Sequence, residues 1–225
     1  MARQMTFELP LRPARGRGDF FVSETNYAAL AAIEGWQGWP GRKMVLTGPE
    51  GAGKSHLVEV WAGLAGAEVV AADDIGGVDP ARLAGRNVAL EDADRLAGDA
   101  AAEAAAFHLH NLVLAEGGSL LVTARDLPQH WGLGLPDLTS RMQGAATVAL
   151  APPDEALLAA VLVKLFADRQ IAAPANLIPY LTQRIERSFA AAQAVVADLD
   201  RTALAERRPV TRDLAKRLLE AADDE

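Results

Sequence analysis

Residues 48–55 read Gly-Pro-Glu-Gly-Ala-Gly-Lys-Ser, a complete G-x-x-x-x-G-K-[ST] loop. Gly48, Gly51 and Gly53 let successive backbone N–H groups turn inward around a phosphate chain, and a helix N-terminus behind them adds a positive dipole. Lys54 can reach β- and γ-phosphates, and the Ser55 hydroxyl can ligate Mg²⁺. A Gly-rich turn with a chance Lys-Ser pair would carry the same letters. Context favours phosphate chemistry: the apolar run Met44-Val45-Leu46 precedes the loop and the helix-like His56-Leu57-Val58-Glu59-Val60-Trp61 follows it.

A second constellation is Val88-Ala89-Leu90-Glu91-Asp92-Ala93-Asp94, an apolar strand ending in two carboxylates. Beside a phosphate loop, such a pair is what Mg²⁺ and an attacking water require. Glu91 stands where Asp is usual, and its longer side chain still reaches a metal-bound water; the alternative is a solvated acidic strand end. Thr123, closing Leu120-Leu121-Val122-Thr123, either orients a γ-phosphate or water or simply caps its strand. Arg141, in Leu138-Thr139-Ser140-Arg141-Met142, is either a surface ion-pair partner or an arginine finger for a nucleotide held by a neighbouring subunit.

These groups need a frame, and the apolar patterning supplies one. Short apolar runs at 43–47, 68–72, 87–91, 119–123 and 147–150 predict five strands. Helical patterns fall at 23–36, with Ser23 as N-cap, and at 54–66, 80–84, 99–116 and 137–142. Alternating strands and helices predict an α/β fold with a five-stranded parallel sheet covered on both faces. Pro152-Pro153 ends that pattern, since consecutive prolines break sheet and helix alike. Beyond them only helical patterns follow, at 154–169, 174–184, 187–204 and 211–221. The expected organisation is a tail over 1–18, a nucleotide-binding α/β part over 19–152 and a small all-α lid over 153–225.

Composition narrows the classes. The 225 residues contain no cysteine, which excludes disulfides, thiolate metal sites and cysteine nucleophiles, and four scattered His make a zinc site a poor fit. A net charge of −8 argues against a dedicated sequence-specific DNA surface, because phosphate neutralisation needs clustered Lys and Arg. No run has the length of a membrane-spanning helix and no apolar signal segment opens the chain, so the expectation is a cytoplasmic protein without membrane contact.

Taken together, these motifs resemble the AAA+ ATPases, and within them the DnaA/Hda branch of bacterial replication proteins, over almost the whole chain. Phe20-Phe21-Val22-Ser23-Glu24-Thr25-Asn26 is similar to the family segment that packs on adenine, which implies nucleotide contacts for Phe21, Val22 and Asn26. Residues 48–55 match its Walker A loop, implying that Gly48, Glu50, Gly51, Ala52, Gly53, Lys54, Ser55 and the adjoining His56 hold ADP or ATP. Leu90-Glu91-Asp92 occupies the Walker B position, so Ser55 and Glu91 are the implied Mg²⁺ holders. Residues 138–142 resemble the box that carries the finger arginine, here Arg141, with Met142 in place of Phe. In the lid, the position of the sensor-2 arginine falls on Ala190, and Arg187 lies one turn earlier as a possible substitute.

The chain shows no basic helix-turn-helix after the lid, and its helix over 211–221 mixes Arg212, Lys216 and Arg217 with Asp213 and Glu220. That points to the Hda-like regulators of the branch. Gln4-Met5-Thr6-Phe7-Glu8-Leu9 resembles the peptide with which such regulators dock on the DNA sliding clamp; Met5, Phe7 and Leu9 would be the apolar anchors and Gln4 the orienting amide. The resemblance implies a regulator that stimulates ATP hydrolysis by the DnaA AAA+ domain through Arg141, and head-to-tail association is a further expectation. The competing expectation is a self-acting ATPase of helicase-loader or transposition-helper type.

Overall fold

The computed structural model describes residues 21–223. Five strands, β1 (Lys43–Thr47), β2 (Glu68–Ala71), β3 (Val88–Glu91), β4 (Leu120–Ala124) and β5 (Ala146–Ala149), form one sheet in the order β2-β3-β4-β1-β5. Every pairing is parallel, with Val45 of β1 opposite Val122 of β4 on one side and Thr147 of β5 on the other. Parallel strands need crossovers, and helices supply most of them: α1 (Tyr27–Glu34) precedes β1, α2 (Lys54–Ala65) follows it, α3 (Ala100–Ala115) leads to β4, and α4 (Pro136–Gln143) leads to β5.

Alternation along the strands divides the core. Val45, Val88, Leu90, Leu120 and Val122 face α3 and α4, while Met44, Leu46, Ala89 and Leu121 face α1 and α2. On the second face Trp61 is fully buried, stacked on Trp39 at 5.2 Å and edge-on to Trp36 at 6.2 Å. After Pro152-Pro153 come α5 (Glu155–Asp168), α6 (Leu177–Thr182), α7 (Phe189–Glu206) and α8 (Arg212–Asp223). They bury a cluster of their own around Leu158, Leu162, Phe166, Leu181, Val196 and Leu199.

Helix starts follow capping chemistry. Asp99, Asp154 and Ser188 accept N–H groups of the first turns of α3, α5 and α7. The expected cap at Ser23 is not one. The Asn26 side chain donates to the Phe21 carbonyl at 2.8 Å and accepts the Ser23 N–H at 2.9 Å, and this turn delays α1 to Tyr27. The segment at 80–84 is a 3₁₀ turn over Pro80–Leu83 rather than an α-helix.

Glu103 is a buried carboxylate that sequence patterning does not explain. From α3 it accepts the Gly134 N–H at 3.0 Å and the Leu135 N–H at 2.6 Å, donors just ahead of α4 that no cap side chain serves. Charge-assisted bonds of this kind contribute more than neutral ones. Glu103→Ala is expected to destabilise the chain by about 2–3 kcal/mol, read as a lower urea midpoint with an unchanged slope.

Among the described residues, no helix is long and apolar enough to cross a membrane. The peptide Gln4, Met5, Phe7 and Leu9 lies outside the described residues.

Candidate functional site

The loop over 48–55 leaves the C-terminal end of β1 and runs into α2, whose N-cap is Gly53. Strand C-termini are where open parallel sheets collect ligands. Two of its glycines are required by what lies against them. Gly51 has φ +72° and a Cβ there would sit 2.6 Å from that of Ser188; Gly53 has φ +102° and a Cβ would sit 2.8 Å from the Phe189 ring. The start of α7 is thus seated on the loop, and the Phe189 N–H donates to the Gly51 carbonyl at 2.8 Å. No larger side chain permits this approach.

Between the loop and the C-terminal helices lies a cavity of about 400 Å³. Its floor is Glu50, Gly51, Gly53, Lys54, Ser55 and His56. One wall comes from the strand ends: Asp92, Asp94 and Arg95 after β3, and Arg125 after β4. The opposite wall is a stripe of α5, where Leu157, Val161 and Leu165 recur every four residues and so share one face, with Lys164 and Asp168 beside them. Phe21 and Asn26 close one side, and Phe189, Ala190 and Gln193 of α7 close the other. A flat apolar wall facing a polar loop suits a ligand with an aromatic base at one end and phosphates at the other.

Lys54 is the centre of the electrostatics. It is only 8 % exposed, and its ammonium donates to the carbonyls of Gly48 at 2.7 Å and Pro49 at 3.0 Å. Burial pushes its pKa below the ordinary lysine value; Asp92 and then Asp94 pull it back up, Arg125 lowers it and Glu50 raises it. Among the acids, Asp92 and then Asp94 act most strongly on the ammonium. Asp94 carries a buried Oδ1 with no hydrogen-bond partner, a spare acceptor at the cavity wall.

Other residues singled out from the sequence lie elsewhere. Glu91 ends β3 half-buried, on the strand face of Ala89 that packs against α2, and does not line the cavity. Thr123 is fully buried, and its hydroxyl accepts the Asp92 N–H at 3.0 Å, which fixes the left-handed turn at Asp92 (φ +55°) rather than presenting the hydroxyl to the cavity. Ala52 packs into the core with Leu57 and Val58. Gly48 anchors the loop by donating its N–H to the Ala124 and Arg125 carbonyls, both at 3.2 Å. Val22 sits outside the cavity in a shallow depression with Ser23, Glu24 and Tyr27. Arg187 precedes the α7 cap and is exposed, away from the cavity that Ala190 lines.

Asp94, Arg95, Arg125, Phe189, Gln193 and the α5 stripe are cavity residues that pattern reading missed. Only the i, i+4, i+8 stripe of Leu157, Val161 and Leu165 left a trace in the sequence, and that trace reads equally well as core.

Arg141 occupies the other end of the sheet. It is exposed on the last turn of α4, and its backbone carbonyl accepts from the Lys43 ammonium at 2.7 Å. Lys43 opens β1, roughly 13 Å of strand from the P-loop at about 3.3 Å per residue. Lys43 also approaches His110 Nε2 at 3.4 Å, while His110 Nδ1 lies 3.1 Å from the Asn111 amide oxygen. This network assigns a neutral imidazole that donates from Nδ1 and accepts at Nε2. Burial holds His110 below its ordinary pKa; the Asn111 bond opposes this, and Lys43 and Arg141 reinforce it. Lys43 is lowered by burial and then by Arg141. Among the described residues Arg141 forms no ion pair within 4 Å, and it shares this corner of the sheet with the Lys43 ammonium.

No family model matches the chain. The fold is similar to domain III of the replication initiation protein DnaA from Thermotoga maritima, with a TM-score of 0.82 at 18 % identity over 95 % of this chain and 98 % of that one. It is similar to AMPPCP-bound DnaA from Aquifex aeolicus, with a TM-score of 0.75 at 16 % identity over 95 % of this chain and 71 % of the other. A point variant of Thermotoga maritima RuvB gives 0.69 at 15 % identity, over 92 % and 72 %. The chain has the AAA+ fold, in its DnaA-like form: a five-stranded parallel sheet between helices, followed by a helical C-terminal part.

Proposed function

We propose that this chain is a nucleotide-holding regulator of the Hda-like kind, which binds ADP or ATP in the cavity, docks on the DNA sliding clamp through residues 4–9, and stimulates ATP hydrolysis by DnaA. In this reading residues 19–152 are the nucleotide-binding part and 153–225 the lid. The carrying observation is the separation of charges. Arg141 stands exposed and unpaired among the described residues at the sheet end away from the cavity, while α7 turns Ala190 and Gln193 to it where a catalytic cation in cis would be expected. An arginine so placed suits a nucleotide held by another molecule.

The cavity fits an adenine nucleotide on its own terms. The glycine cradle bears positive φ at Gly51 and Gly53, Lys54 lies at its centre, and AMPPCP occupies the similar Aquifex DnaA. Mg²⁺ would sit beside Ser55, exposed at the start of α2, and near Asp94, which lines the same cavity and keeps a buried Oδ1 with no hydrogen-bond partner. Ser55 would hold the ion directly, with Asp92 rather than Glu91 acting through water, and the ion would supply charge neutralisation of the phosphates. Phe21 and the α5 stripe would hold the base, and Lys54 would orient the phosphates.

The test mixes the chain with clamp-loaded DNA and ATP-bound DnaA and follows ATP turnover. Turnover is expected to rise with the intact chain and to stay at the DnaA baseline after deletion of residues 4–9, with nucleotide binding by the chain unaffected. An unchanged baseline with the intact chain overturns the regulator reading. Turnover by the chain alone, stimulated by single-stranded DNA, would support the self-acting ATPase instead.

A further inference from the structure

The cavity contains a cation that the P-loop motif does not account for. Arg125 follows the end of β4, and its carbonyl, with that of Ala124, accepts the Gly48 N–H, so its backbone is stitched to the first residue of the loop. Its guanidinium lines the cavity and donates to the Glu50 carboxylate at 2.7 Å. Two other cations line the same space, but Arg95 is paired with Asp73 at 2.7 Å and Lys164 with Asp168 at 2.8 Å. Of the three, only Arg125 acts on the Lys54 ammonium, lowering its pKa.

We propose that Arg125 is the second phosphate-binding cation of this pocket, held by Glu50 in the resting chain and passed to the terminal phosphate of a bound adenine nucleotide. This deepens, and rests on, the nucleotide-binding reading above. The exchange is favourable on charge and geometry. The Arg125–Glu50 pair is largely solvent-exposed, at 61 % and 79 % of the two side chains, and pairs of that kind are weak. A terminal phosphate offers the guanidinium fork two parallel charge-assisted bonds and more negative charge than a carboxylate. The same phosphate repels Glu50, which loosens the resting pair as it binds the new one. Because Ala190 puts no charge on the α7 side of the cavity, Arg125 stands beside Lys54 as a second cation for a terminal phosphate.

Calorimetric titration with ATP and Mg²⁺ tests the proposal on the full chain and on Arg125→Ala, Arg125→Lys, Glu50→Gln and the Glu50→Gln/Arg125→Ala pair, with Lys54→Ala in parallel. Arg125→Ala is expected to weaken binding roughly tenfold to a hundredfold, the range of a charge-assisted hydrogen bond, and Arg125→Lys to restore part of it. Glu50→Gln is expected to tighten binding when Arg125 is present and to give a smaller gain when it is absent. Undiminished affinity in Arg125→Ala overturns the proposal, as does an equal gain from Glu50→Gln in both backgrounds, which would mean simple removal of a repelling charge. If Lys54→Ala loses ATP while Arg125→Ala keeps it, the Arg125 assignment alone falls. If the unaltered chain binds no ATP, the nucleotide reading falls with it.

Discussion

Lys54→Ala is expected to lower affinity for ADP and ATP by roughly a hundredfold or more, the combined effect of losing two charge-assisted contacts at about 1.5–3 kcal/mol each. The size follows from where the ammonium sits. It is almost fully desolvated, donates to the Gly48 and Pro49 carbonyls, and feels Asp92 and Asp94 across the cavity. Burial already imposes the desolvation cost of this cation, so an entering phosphate meets a preorganised partner rather than a flexible one. Alanine removes that partner and leaves the acids of the β3 end facing the phosphates. Calorimetry with both nucleotides and Mg²⁺ measures the loss, and a urea melt checks that the loop carbonyls left without their donor do not unfold the chain. Ordinary affinity in this variant would remove the phosphate role from residues 48–55, and with it every functional reading offered above.

Arg141→Ala is expected to leave nucleotide binding by the chain unchanged and to cut stimulation of DnaA turnover by roughly 10³-fold or more, the scale of an arginine finger supplied in trans. The two halves of the expectation separate because Arg141 lies at the start of the sheet and the cavity at its end. The substitution spares the local fold: Lys43 holds the backbone carbonyl of residue 141, which alanine retains, and the side chain forms no ion pair among the described residues. Parallel assays of ATP turnover by DnaA and ADP binding by the variant read both halves. Full stimulation by Arg141→Ala would remove the finger role from Arg141.

Some of this was readable before any coordinates. The eight residues over 48–55 form a contiguous signal, and a strand before and a helix after them can be read from local periodicity. The strand β1 falls at Lys43–Thr47 as patterned, and α3 and α4 are within a residue or two of their expected spans. Misjudged starts came from competition for the same groups. Ser23 has the composition of a cap, yet the Asn26 side chain takes its N–H and postpones α1 by one turn. Likewise, Arg187 reads as the opening of α7, while Ser188 caps that helix and leaves Arg187 outside it.

The sequence alone determined the parallel sheet and its glycine loop, because apolar alternation and a phosphate-cradle spacing are properties of neighbouring residues. Tertiary structure decided which charges meet Lys54. Asp94 and Arg125 leave different strands, and Ala190 and Gln193 arrive from α7, far along the chain from either. Their meeting depends on strand order and on the close approach of α7 to Gly51 and Gly53. Electrostatic coupling falls with distance in space rather than along the chain, so no reading of local spacing could have ranked Asp94 and Arg125 above Glu91 and Thr123.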